Sequence, residues 1–271
     1  MGRSTGAHLR WDEYPRHRVV LSAFEIDSTP VSYAQFLLFT EKTGYITSAE
    51  RQGYAMYFEP GLADWKWVVK PGATYHNPFP EEAGINGHSE YPVTNISWLD
   101  AVAFCSYHNR RLPTEAEWVY AVSGGNADRR FPWGDTLISN DRYMANVWQG
   151  QFTEAGENHR ISLDRDGYRY LAPIGMYRAN RWGVMGAIGN VWEYTSDWYD
   201  PEYFQYLATE YPEGAVNPTG PEHGTLKVGR GGSWWCSDET CRGFGLFYRG
   251  HGRPDQSFPN QGFRCARSIT E

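Results

Sequence analysis

Apolar positions keep a helical period only in the first half of this 271-residue chain. In STPVSYAQFLLFTEKTGY, Tyr33, Phe36, Leu37 and Phe39 recur as a buried helical face requires, and Pro30 with Ser32 marks a start, so a helix is predicted from about Ser32 to Lys42. In PVTNISWLDAVAFCSYHNRRLPTEAEWVYAVSGG, Ser97 with Asp100 caps a first helix, about Trp98 to Asn109. Thr114 with Glu117 forms a capping box for a second, Glu115 to Ser123, which Gly124 and Gly125 stop. HRVVLSAFEID gives one strand-like run, Arg18 to Ile26, and residues 1–16 are polar and read as loose. Between Thr47 and Tyr91 no period is sustained, which predicts at most two short strands and a loop packed back on the body. The remainder is broken by turn signals into loops and short strands, and no linker separates two halves, so one domain is expected.

Composition sharpens that picture. The chain carries 12 Trp, 19 Tyr and 13 Phe beside 29 Gly and 16 Pro, which favours a domain rich in irregular structure over a helical bundle or long parallel strands. Its 41% hydrophobic residues suffice for a substantial core. With 25 basic against 32 acidic residues there is no electrostatic footprint for nucleic acid. No apolar run reaches membrane-spanning length, and MGRSTGAHLRWDEYPRHR lacks the apolar centre of a secretory signal, so the chain reads as cytoplasmic with no membrane partner.

The four cysteines are too few for a disulfide framework and need individual explanations. Cys236 and Cys241 stand five apart in GGSWWCSDETC, a spacing that neither helix nor strand brings together. For them to cooperate, SDET must turn, and that turn permits either a disulfide or a two-thiolate metal site. Zinc wants four ligands and no CxxC or HxxxH completes a set, whereas two thiolates suit monovalent copper. The plain reading remains a surface disulfide or two isolated core thiols. On that reading Trp234 and Trp235 are strand side chains facing opposite ways and Ser233 is a polar strand residue; on the functional one a tryptophan shields the thiols and Ser233 bonds to a reacting substrate. Cys105, on a helix, and Cys265, in GFRC, read as buried free thiols unless the fold brings them together.

Oxygen ligands are the second candidate chemistry. ANVWQGQF and DRDGY could form a calcium cage from the Asn146 and Asp166 side chains and the Val147 and Tyr168 carbonyls, against an ordinary Asn/Asp turn. GAIGNVWEY could place Glu193 with the Gly189 and Val191 carbonyls, against a glycine turn that leads into a packed Trp192. The eight histidines form no close triplet; His251, near the late cysteines, is either a solvated loop residue or a substrate contact. No GxSxG elbow or GxGxxG fingerprint is present.

Taken together, RLPTEAEW (111–118), ANVWQGQF (145–152), GNVWEYTSDW (189–198), GGSWWC (231–236) and NQGFRCAR (260–267) resemble the formylglycine-generating enzyme family of sulfatase-modifying factors. The resemblance implies a single, loop-rich, mixed α/β catalytic domain over residues 18–267, related to the C-type lectin fold, between an N-terminal extension, 1–17, and a tail, 268–271. It further implies a copper(I) oxidase in which Cys236 and Cys241 hold the metal, Ser233 and Trp192 border the oxygen pocket, and Trp235, Arg249 and His251 face substrate. The substrate would be a cysteine of a polypeptide such as a sulfatase, oxidised by molecular oxygen to Cα-formylglycine. A related copper oxidase of another peptide or small thiol, or a non-catalytic lectin-like binding module, are the other readings the superfamily offers. Cys105 and Cys265 resemble the family's auxiliary cysteine pair. Calcium ligands carry over to Asn146, Val147, Asp166 and Tyr168, and more weakly to Gly189, Val191 and Glu193, where the family expects Asn and this chain has Gly186. Thr240 before Cys241, and the residues after it, depart from the family pattern.

Overall fold

The computed structural model describes residues 1–3, 10–57, 67–80, 84, 86–149, 164–237 and 243–269. After a 3-10 turn at Trp11–Glu13 come β1 (Val19–Val20), β2 (Phe24–Ile26), α1 (Tyr33–Thr43), α2 (Ser48–Gln52), β3 (Tyr54–Tyr57) and β4 (Val68–Pro71). Next are α3 (Trp98–Tyr107), α4 (Glu115–Ser123), β5 (Ile138–Ser139), β6 (Arg142–Tyr143), β7 (Trp192–Trp198) and α5 (Tyr203–Glu210). The chain closes with β8 (Ala215–Val216), β9 (Lys227–Gly231), β10 (Gly245–Gly252), β11 (Gln261–Gly262) and β12 (Ala266–Ser268). The fold is mixed α/β, with short elements joined by long irregular segments.

Local chemistry explains the helix ends. The helices α1 to α4 each start at a reciprocal capping box, Ser32/Gln35, Thr47/Glu50, Ser97/Asp100 and Thr114/Glu117, so backbone N–H groups that lack helical partners are bonded by side chains. α2 falls where no periodic element is expected; its T-x-x-E signature is in the sequence, but five residues are too few to show a period. α3 stops two residues before the expected Asn109, which is itself left-handed at φ 54°. The run from Arg18 to Ile26 is also divided, because β1 pairs in parallel with β8 while β2 pairs antiparallel with β12.

The central sheet has the order β10-β9-β7-β11, antiparallel except where β11 lies parallel to β7. Trp118 of α4 packs on it, fully buried with Val122, Phe131, Trp192, Cys236 and Leu246. A second apolar cluster joins α1 and α3 through Phe36, Phe39, Phe104 and Phe263. A disulfide between Cys105 and Cys265 fastens α3 to the segment between β11 and β12.

Residues 10–17 are not loose. Asp12 is fully buried and accepts the Tyr199 hydroxyl at 2.7 Å; Glu13 pairs with Arg3 at 3.2 Å; the Met1 ammonium donates to the His17 carbonyl at 2.6 Å. These groups are held by ion pairs and hydrogen bonds to one another and to the body of the domain, a form of burial to which hydropathy patterning is blind.

Candidate functional site

The sheet and the turn after β9 build a cleft of about 320 Å³, walled by Trp67, Trp192, Trp235, Tyr248 and Phe258, with Cys236 among its lining residues. Gly231 and Gly232 make the turn possible. Both have positive φ, 95° and 84°, and a Cβ on either would collide, with the Ala187 carbonyl or with Phe244. The chain then turns at Ser233–Cys236, where the Cys236 N–H donates to the Ser233 carbonyl at 2.9 Å. Trp234 and Trp235 therefore lie in a turn, not on a strand with opposed faces. The Trp234 ring packs against Tyr170 and Phe79, at 5.0 and 5.8 Å, while Trp235 faces the cleft.

Ser233 is arranged to serve the Cys236 sulfur. Its backbone N–H donates to Sγ at 3.4 Å, and its hydroxyl lies 3.7 Å from the same sulfur. The hydroxyl oxygen already accepts Asn260 Nδ2 at 3.1 Å and the Trp235 N–H at 3.3 Å, so its own proton is the one left to point at sulfur. Two donors aimed at one sulfur stabilise it as an anion. Cys236 is only 1% exposed, and its sulfur is in a disulfide in this structure, so thiolate chemistry there begins with reduction. Asp238, Glu239, Thr240 and Cys241 lie outside the described residues, so of the SDET turn only Ser237 is described.

Asn146, Val147, Asp166 and Tyr168 are brought together. The Asp166 carboxylate accepts the N–H groups of Val147 and Tyr168, both at 3.0 Å, and Gln149 bridges the two segments through the Val147 carbonyl at 2.7 Å and the Asp166 N–H at 3.0 Å. Burial pushes the Asp166 carboxyl above its usual range, against the pull of these hydrogen bonds. Asn146 is fully buried with its Oδ1 unpartnered, while its Nδ2 donates to Asn190 Oδ1 at 2.9 Å. A half-buried carboxylate with no bonded cation among the described residues, in the segment paired with an orphaned amide oxygen, is a donor set that fits a hard cation such as calcium.

Glu193 is placed differently. Both its oxygens are taken, by Arg264 through Nε and Nη2 and by Trp118 Nε1, all at 2.7 Å. With Gly186 supplying no side-chain oxygen, the set Gly189, Val191 and Glu193 does not fit a calcium ion, because its one carboxylate already has a cation.

Arg249, expected to face substrate, is fully buried and forks onto Glu115 at 2.8 and 3.0 Å, so it supports the sheet from behind. His251 is at the cleft, its ring stacked on Tyr199 at 4.1 Å; partial desolvation, then Arg10, holds it below the usual histidine range. Four residues that sequence reasoning passed over matter here: Arg10 and Tyr248 line the cleft, Asn260 orients Ser233, and Asn190, left-handed at φ 62°, ties Asn146 to Ala172. The quoted motifs GNVWEY and NQGFRC contain the last two, but not what they bond. Among the described residues no cluster of three or more His, Cys, Asp or Glu could hold a metal, and no helix is long and apolar enough to cross a membrane.

The comparisons with known proteins agree with this architecture. A family model described as the sulfatase-modifying factor enzyme 1-like domain matches residues 1–269. The formylglycine-generating enzyme of Streptomyces coelicolor is 39% identical over 267 residues, covering 94% of this chain and 81% of that protein. That of Thermomonospora curvata is 39% identical over 269 residues, covering 94% and 85%. Among solved structures, PvdO from Pseudomonas aeruginosa aligns with a TM-score of 0.68 over 99% of this chain and 89% of its own at 19% identity, a likeness of fold.

Proposed function

The chain belongs to the sulfatase-modifying factor family, and from that premise we propose that it catalyses the aerobic oxidation of a substrate cysteine. In its most specific form the reaction converts a cysteine of a polypeptide, such as a sulfatase, to Cα-formylglycine. The observation that carries this reading is the Cys236 sulfur, buried, facing two donors of Ser233 and bordering an aromatic cleft.

Cys236 and Cys241, as thiolates, would hold Cu(I), whose softness suits two sulfurs and whose redox chemistry passes electrons to oxygen. Once the disulfide is reduced, Ser233 would hold the Cys236 sulfur as an anion by donating N–H and O–H, and Asn260 keeps that hydroxyl in register. Trp192 and Trp235 exclude water from the place where the substrate thiol enters, which suppresses unselective thiol oxidation. In the balanced reaction the substrate loses its thiol proton and one β-carbon hydrogen, oxygen takes up both with two electrons, and water then converts the thioaldehyde to aldehyde and sulfide. The Asn146 and Asp166 side chains and the Val147 and Tyr168 carbonyls would hold calcium, which would fasten two segments that flank the site and take no part in the redox step.

The test is incubation of the reduced, Cu(I)-loaded protein with oxygen and a library of cysteine-containing peptides, read by mass spectrometry. An aldehyde at a defined cysteine, abolished by Cys236→Ser and lowered roughly 10- to 100-fold by Ser233→Ala, is expected. Copper binding without peptide oxidation would move the substrate to a small thiol, and normal turnover by Cys236→Ser would sink the mechanism.

A further inference from the structure

Charge at the cleft is one-sided. Its described lining contains Arg10, Arg253 and His251 and no carboxylate. The two arginines differ in how they are held. Arg253 is 62% exposed and its charge is matched by a fork onto Asp255 at 3.1 and 3.0 Å. Arg10 is fixed: its guanidinium stacks over the Tyr248 ring at 4.6 Å, donates to the Tyr248 hydroxyl, and donates to Asp12 through Nε at 3.2 Å and Nη2 at 3.3 Å. Three of five guanidinium N–H groups are thereby used, leaving one on each terminal nitrogen of a side chain still 37% exposed.

Asp12 does not cancel this charge. It also accepts the Tyr199 hydroxyl, and among the described residues behind the cleft the guanidiniums of Arg3, Arg10, Arg230 and Arg249 pair with the carboxylates of Asp12, Glu13 and Glu115. The Asp12 carboxylate is thus divided between Arg10 and Tyr199, and the low-dielectric aromatic wall lets the field of the Arg10 guanidinium reach into the cleft. The Tyr248 ring that carries Arg10 lies 5.5 Å from that of Trp192, in the same packed group as Cys236, so Arg10 and Cys236 line one cleft.

We propose that Arg10 is a specificity-determining residue that selects a thiol substrate carrying a carboxylate close to the reactive cysteine. That carboxylate is an acidic side chain or the carboxyl end of the chain. The inference rests on the proposed function for the place of the thiol, but its test reads binding and not turnover. Short peptides with serine in place of the reactive cysteine are titrated against the full-length protein, following quenching of the cleft tryptophans. One set, amidated at the end, carries glutamate, glutamine or arginine beside the serine; another ends in a free carboxyl after it.

The glutamate or the free-carboxyl peptide is expected to bind roughly tenfold tighter than its neutral partner, and the better of the two identifies the source of the carboxylate. Arg10→Gln should erase the preference and Arg10→Lys should keep part of it, with thermal melts confirming that both fold; if Arg10→Gln does not fold, Arg10→Lys and the salt dependence of the wild-type preference decide. Equal affinities, tighter binding of the arginine peptide, no measurable binding by any peptide, or a preference that survives Arg10→Gln each overturn the proposal. Charge-selective binding without aldehyde formation in the oxidation assay would leave this inference standing and remove the peptide-oxidation reading; aldehyde formation without charge preference would do the reverse.

Discussion

Glu193 and Asp166 both tie together segments that flank the sulfur site, and their described partners differ in charge. At Glu193 the cation comes from the chain. Arg264 uses every N–H it has, two on the carboxylate and three on the carbonyls of Asp27, Ser28 and Met185, so the junction is closed. At Asp166 the described partners are backbone N–H groups and Gln149, and the neighbouring Asn146 Oδ1 has no partner. A guanidinium can supply in one side chain both the charge and the directional donors that mixed carboxylate and carbonyl oxygens demand. Where none reaches among the described residues, the same kind of oxygen set has room for an ion, which is the calcium site proposed above.

The most damaging way to test this contrast is Arg264→Ala. It strands a buried carboxylate and three carbonyls, and should cost about 3–5 kcal/mol in urea unfolding. Added calcium should not restore it; recovery of stability with calcium would show that the Glu193 junction is also an ion site.

A smaller effect is expected at the other junction. Saturating calcium, at about a hundred times its Kd, should stabilise the protein by about 2.7 kcal/mol, and chelation should remove that gain. Asp166→Asn should abolish the calcium response, whereas Glu193→Gln should leave it intact even if the protein is weakened. A calcium response lost in Glu193→Gln and kept in Asp166→Asn would reverse the assignment.

The N-terminal segment is closed in a third way, around a neutral group, and acid is its weak point. His17 meets Phe204 edge-on at 4.8 Å, and its Nδ1 lies 3.0 Å from the Pro15 carbonyl. Burial, helped by the Met1 ammonium and Arg249 and opposed by Glu115 and the Pro15 carbonyl, lowers its pKa from 6.5 to about 4. Because the folded value is depressed, the unfolded chain binds the proton first. Stability from this group is complete above pH 6.5 and is lost as the pH falls toward 4, on the order of 2 kcal/mol. Unfolding midpoints measured across that range should fall more steeply for the wild type than for His17→Gln; parallel curves would remove His17 from the account.

Much of the fold is legible in the sequence, wherever neighbours along the chain decide the structure. Thr114 and Glu117 are three residues apart and cap the same helix turn whatever surrounds them. The same logic places α1 and α3, and was available for α2 in Thr47 and Glu50. Gly231 and Gly232 likewise announce a backbone that bends where side chains cannot fit. The site is only half legible. The motifs bring Ser233 and Cys236 to attention, but nothing near Ser233 says that Asn260, 27 residues on, takes the oxygen lone pair that turns the hydroxyl proton toward sulfur. Arg249 shows the same limit from the other side, since a basic residue near two cysteines looks like a substrate contact until Glu115, 134 residues away, is found beneath it.

By itself, then, the sequence determined α1, α3 and α4, the glycine turn and the family, because capping, φ preferences and ordered motifs are properties of short runs of chain, whereas α5, which has no side-chain cap, fell in a region read as loops and short strands. Only the tertiary structure decided which buried charges are satisfied. Arg10 reaches Tyr248 across 238 positions and Arg264 reaches Glu193 across 71, while Asn146 Oδ1 is left without a partner. The physical reason is that the cost of a buried charge or lone pair depends on the distance to its complement after folding, and that distance is not written in sequence separation.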